Sequence, residues 1–89
     1  MPTVSFSPNI QSHVDVGSLD VAGETVRESL ESVCALHPRL RSYLFDDDGK
    51  VRKHIAMIVN SEPVQDRADL SDPVKPDDDI FVMQALSGG

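Results

Sequence analysis

The residues best placed to do chemistry in this sequence are its last three, Ser87-Gly88-Gly89. Glycine has no Cβ, so a diglycine tail can be drawn extended through a channel too narrow for other residues. The Gly89 carboxylate is then unhindered, and inside a partner enzyme it can attack ATP. The acyl-adenylate so formed is open to a sulfur nucleophile, because AMP is a good leaving group. On an arbitrary domain, two terminal glycines would be a passive tail. Here an apolar run, Ile80 to Leu86, leads straight into them, and no internal side chain offers an equivalent position. Gly89, threaded with Gly88, is therefore the candidate reactive end.

Other reactive residue types read more simply as structure. Asp46-Asp47-Asp48-Gly49 opens like a calcium loop, but that register puts the first ligand on Leu44 and the last on Ile55, so the pattern fails. Asp77-Asp78-Asp79 reads as a solvated turn. Cys34 is the single cysteine, which excludes an intramolecular disulfide, and its place among apolar helical positions makes it a small core residue. His13, His37 and His54 share no metal-ligand spacing. Neither a metal site nor a catalytic histidine is expected, and His37 would simply favour the dipole at a helix C-terminus.

The elements that must hold the tail follow from pattern. Val4 and Phe6 alternate with polar neighbours as in a strand. Pro8-Asn9 signals a turn, and Val14, Val16, Leu19 and Val21 resume the alternation with a bulge at Gly17, so the pattern predicts an N-terminal hairpin. Thr25 and Glu28 fit a capping box. Behind it, Val26, Leu30, Val33, Cys34 and His37 share one helical face, and Pro38 ends the helix near His37. A strand is expected over Val51 to Val59, apolar on both faces between Ile55 and Val59 as in a covered sheet. A turn at Asn60 to Pro63, an irregular stretch from Asp66 to Asp79 and a last strand from Ile80 to Leu86 complete the order. With one main helix, only one sheet face can be covered, which predicts an α+β roll. The right-handed crossover rule sets the last strand beside the first, in the β-grasp arrangement of four to five strands. The expected division is a domain over residues 1–86 and a Ser-Gly-Gly tail over 87–89.

Several segments together resemble the ubiquitin-like sulfur carriers of molybdopterin, thiamine and cysteine biosynthesis (MoaD/ThiS-type). Val59-Asn60-Ser61-Glu62-Pro63-Val64 matches that family's "VN-x-E-x-V" pattern, Pro76-Asp77-Asp78-Asp79-Ile80 its acidic turn, and Ser87-Gly88-Gly89 its terminus. Leu44 to Arg52 looks most like the cysteine-biosynthesis branch. The segments cover about half the chain, and only their combination is specific. The sequence departs from the family at Asp78, where glycine is usual, and at Met83-Gln84-Ala85-Leu86, which lacks a common proline.

The resemblance implies a cycle. An E1-like (MoeB/ThiF-type) activating enzyme adenylates Gly89 with ATP, a sulfur donor converts it to a thiocarboxylate, and an acceptor enzyme takes the sulfur. In the cysteine branch the acceptor is a pyridoxal-phosphate cysteine synthase, and a metalloprotease trims the product from the tail. In the molybdopterin branch the carrier is the small subunit of a synthase beside its large subunit. The chain itself binds no cofactor and is a co-substrate, not an enzyme. Phe81, Met83 and Leu86, on the last strand just upstream of the tail, either pack under the Asp66–Asp79 loop or stand exposed; if exposed, they and Ser87 are the expected docking residues for the activating enzyme.

Composition agrees with this picture. Eighty-nine residues support one domain and leave little room for a catalytic cavity beside a core. Fifteen acidic residues against eight basic ones give a net charge of −7, a poor match for nucleic acid and a better one for a basic protein surface. The N-terminus has no signal-peptide pattern, and the longest apolar stretch is too short to span a bilayer, so a cytoplasmic protein without membrane association is expected. Two further readings use the same residues. One is a ubiquitin-like modifier joined through Gly89 to lysines. The other is a β-grasp interaction domain with passive glycines.

Overall fold

The alternation at the N-terminus forms strand β1 (Thr3–Phe6), with Val4 and Phe6 buried and Thr3 and Ser5 on the other face. The computed structural model describes residues 1–84. Pro8-Asn9 does not turn the chain directly into a second strand. It opens a short helix, α1 (Pro8–His13), with proline at a first-turn position where its missing N–H is not needed. Ile10 anchors this helix in the core. Val14 and Val16 are buried as expected, but they make no ladder. The second strand, β2, is only Leu19–Asp20, antiparallel to β1 through Thr3↔Asp20 and Val4↔Leu19. The expected hairpin is thus two antiparallel neighbours joined through a helix. The Val14–Val16 alternation reflects burial of an extended connection.

Helix α2 (Val26–Leu36) starts where its cap predicts. The Thr25 hydroxyl accepts from the Glu28 amide at 3.1 Å. The Glu28 carboxylate reaches back to the Glu24 amide at 3.0 Å, one residue before its expected partner. Val26, Leu30, Val33 and Cys34 are buried along one face. Pro38 ends this helix and immediately begins another, α3 (Pro38–Leu44), which buries Leu40 and Leu44. The expectation of one main helix holds for α2, the longest, while α1 and α3 are additions to it.

The strand expected from Val51 begins later. Val51 makes an isolated bridge to Phe45 around the Asp46–Gly49 turn, and β3 is Ile55–Val59. Strand β4 (Glu62–Pro63) folds back on β3 with Ile58↔Pro63 and Val59↔Glu62. Both loop residues between them, Asn60 and Ser61, have positive φ (49° and 74°), as a two-residue primed turn requires. After an irregular stretch that buries Leu70 and Val74, β5 (Asp79–Gln84) enters the middle of the sheet. It runs parallel to β1 and antiparallel to β3, giving the order β2-β1-β5-β3-β4. This is the β-grasp arrangement, a mixed five-stranded sheet with α2 packed on one face.

Only one face of β3 is covered. Ile55 and Met57 are buried, while Ala56 and Ile58 are half-buried on the other side. The apolar run in β3 therefore has an outward half that the helices leave uncovered.

Candidate functional site

The central strand β5 divides its side chains cleanly. Ile80 and Val82 point into the core and are fully buried, and Phe81 and Met83 occupy the opposite face, half-buried. Phe81 lies opposite Ile58 on β3 and opposite Ser5 on β1. Met83 lies opposite Ala56. Ile58, Ala56, Phe81 and Met83 thus form an apolar strip on the outer sheet face. The polar edge beyond β1 is fixed by Thr3 Oγ1 donating to Asp20 Oδ1 at 2.6 Å and by a 3.0 Å contact between the Ser5 and Ser18 hydroxyls. Partly exposed apolar residues next to a chain end suit a partner surface, with alternate positions on the same strand providing the core.

Of the residues singled out from sequence, Phe81 and Met83 come together on this face. Leu86, Ser87, Gly88 and Gly89 lie outside the described residues. Gln84, the last described residue, sits opposite Ile55 at the start of β3. Its side-chain oxygen accepts a hydrogen bond from the Tyr43 hydroxyl on α3. The Tyr43 ring is flanked by His13, with centroids 5.6 Å apart, and by His54, edge-on at 6.3 Å. Sequence reasoning missed this cluster at the Gln84 end of β5. Its only signal was the chain's single tyrosine, three residues before the Asp46–Gly49 turn.

The remaining candidates fall where ordinary structure would put them. Cys34 is 2% exposed, and burial pushes its thiol above the usual cysteine range, with Arg41 partly opposing that shift. Glu31 is held below the usual carboxylate range, first by its hydrogen bond from Arg41. Among the described residues no group of three or more His, Cys, Asp or Glu is placed to hold a metal ion, and no helix is long and apolar enough to cross a membrane.

Asp78, the departure from the expected glycine, needs no left-handed backbone. Its carboxylate accepts from the Lys75 amide and from Asn60 Nδ2, each at 2.8 Å, and these bonds hold the acid below the usual aspartate range. The turn that launches β5 is therefore closed by a side chain where the family pattern uses glycine.

Known proteins place this arrangement. Residues 12–89 match the ThiS family. The chain is 33% identical over 72 residues to small archaeal modifier protein 1 of Haloferax volcanii, covering 80% of this chain and 78% of that protein. It superposes with a TM-score of 0.83 and 28% identity on a chain of the Amycolatopsis orientalis BexX/CysO complex, over 100% of both. Mycobacterium tuberculosis CysO shares the fold, with a TM-score of 0.81 at 21% identity over 97% of this chain and 100% of that one. The chain belongs to the ThiS family of ubiquitin-like carrier and modifier proteins.

Proposed function

We propose that this chain is a sulfur carrier whose Gly89 carboxylate is adenylated by an E1-like enzyme and converted to a thiocarboxylate. The observation that carries the reading is the family match, which extends through Gly89. The fold supports it. The central strand brings the chain to Gln84 beside an apolar outer strip, and five residues remain to Gly89. Extended, five residues reach about 17 Å, enough to enter a partner while Phe81 and Met83 stay at its surface. ATP enters as the partner's substrate. Cys34, buried with a raised thiol, is a poor nucleophile and a poor sulfur carrier.

The likeness to CysO chains favours the cysteine-type branch, with a pyridoxal-phosphate enzyme as acceptor and a protease releasing the product. A CysO chain is held in complex with BexX in Amycolatopsis orientalis, which fits a carrier that docks on a partner protein. A second reading rests on the Haloferax volcanii relative, whose name is that of a modifier. In that reading the same adenylate is captured by a lysine.

ATP-dependent pyrophosphate release with the cognate E1-like enzyme tests the reactive end. Deleting Gly89, or adding alanine after it, should abolish release. A passive tail would tolerate the addition. Thiocarboxylate in cells without conjugates assigns the carrier role, and conjugates without thiocarboxylate assign the modifier role.

A further inference from the structure

The net charge of −7 conceals a strong asymmetry along β5. Its first residue, Asp79, follows Asp77 and Asp78, so the start of the strand is acidic. Its last described residue, Gln84, pairs with Ile55, and Ile55 follows Arg52-Lys53-His54. Six residues of strand separate the two ends by about 17 Å.

Arg67 adds its charge to the basic end and fixes the segment there. Its guanidinium donates to the carbonyl of Ile55, to that of Arg52 at 2.7 Å and to that of Lys53 at 3.1 Å. Arg52 in turn donates from Nε to the Ser42 carbonyl at 2.8 Å. Lys53, His54 and Arg67 are exposed. Among the described residues the ion pairs are Arg27–Glu31, Arg41–Glu31 and Lys50–Asp69, none of which includes Arg52, Lys53 or Arg67. Asp46 lines one hollow with Arg52, Lys53 and His54, and Asp46 and Asp47 line another with Arg52, but neither acid is ion-paired to these cations, and the Asp46 carboxylate accepts from the amides of Asp48 and Lys50. In a chain with almost twice as many acids as bases, three cations at the Gln84 end of β5 thus stand outside any ion pair among the described residues.

We infer that Arg52, Lys53 and Arg67 form a basic collar that docks on an acidic rim around the partner channel that accepts the tail. The inference rests on the proposed adenylation of Gly89 and names the charge of the surface that surrounds that site. With the acidic turn at the far end of β5, the collar makes the molecule a dipole whose positive pole leads. Such a dipole turns the tail end toward a negative partner surface during encounter, which raises the association rate and makes it sensitive to salt. The expected partner is a protein rich in Asp and Glu at the channel mouth. Nucleic acid is disfavoured, because the rest of the chain repels phosphate.

The test uses the full chain and the cognate E1-like enzyme, with binding measured without ATP and adenylation measured in parallel. Arg52→Glu/Lys53→Glu should weaken binding and lower kcat/KM by about tenfold or more, mainly through KM, and should flatten the salt dependence. Lys75→Glu, at the acidic end of β5, should change neither by more than about twofold. Thermal melts check folding. Should the double variant prove unstable, Lys53→Glu alone carries the comparison. Equal binding by wild type and charge-reversed chain overturns the collar. Binding that depends on the collar without any adenylation retains it and overturns the proposed chemistry. No binding by the wild-type chain overturns both.

Discussion

Asn60 and Asp78 lock the β3–β4 turn to the start of the last strand, with Asn60 Nδ2 donating to Asp78 Oδ1 at 2.8 Å. Asn60 Oδ1 accepts from the Asp79 amide at 2.9 Å, and the Asn60 amide donates to the Asp79 carbonyl, also at 2.9 Å. Asn60 adopts φ 49°, a conformation that asparagine tolerates better than most residues. The asparagine of the family-like segment thus serves geometry: it sets where β5 begins. Asn60→Ala loses these side-chain bonds and strains the backbone. It should cost about 1–3 kcal/mol, read as a lowered thermal midpoint.

Acid stability should respond to two aspartates. Asp66 is held below the usual range first by its bond from the Ser71 hydroxyl, and Asp78 first by the Lys75 amide. A carboxylate with a lowered folded-state pKa contributes stability that is complete above the unfolded value, near pH 4. That contribution is lost as pH falls through the folded value. The thermal midpoint should therefore drop on the acid side of about pH 4. Asp66→Asn and Asp78→Asn should each make that drop shallower, and their stability at neutral pH should be lower. A variant with the wild-type acid limb would show that its carboxylate contributes nothing there.

The thiol should be dispensable. Cys34 is buried against the helix-facing core, so in the native protein it should react slowly with alkylating reagents at neutral pH and quickly once unfolded. Cys34→Ala should keep full sulfur loading at Gly89, with stability lowered only by the lost packing. Loading that fell with the thiol would return the sulfur to the side chain.

The two faces of β5 should separate docking from folding. Phe81→Ala and Met83→Ala remove half-buried outer residues. They should raise KM for the activating enzyme by about ten- to a hundredfold, the range of interface anchors, while kcat and the thermal midpoint change little. Val82→Ala, fully buried between them, should instead lower the midpoint and leave KM near wild type. Unchanged KM in both outer variants would remove this face from the docking surface.

What the sequence made legible was local. Thr25 and Glu28 lie three residues apart, and the apolar stripe behind them repeats every turn, so α2 could be placed to within a residue. Helix α1 was hidden because Pro8-Asn9 reads as a turn and also suits a helix start. Helix α3 is hidden because Pro38 reads as a helix stop, although Leu40 and Leu44 behind it keep helical spacing. At the site, Phe81 and Met83 were visible from period-2 alternation. The bond from Tyr43 to Gln84 spans 41 positions, and Arg67 reaches 12 to 15 positions back to the turn before β3. No local pattern encodes such contacts. Net charge is silent on such placement in the same way, because it averages over charges that only the sheet holds apart.

On the proposed chemistry, Gly89 carries the sulfur. Intact-mass measurement of the chain after incubation with its E1-like enzyme, ATP and a sulfide source tests it directly. The expected result is a gain equal to replacing one oxygen by sulfur, located at Gly89, retained in Cys34→Ala and absent when Gly89 is deleted. An unchanged mass with a demonstrably active enzyme, or a gain located on Cys34, would contradict it.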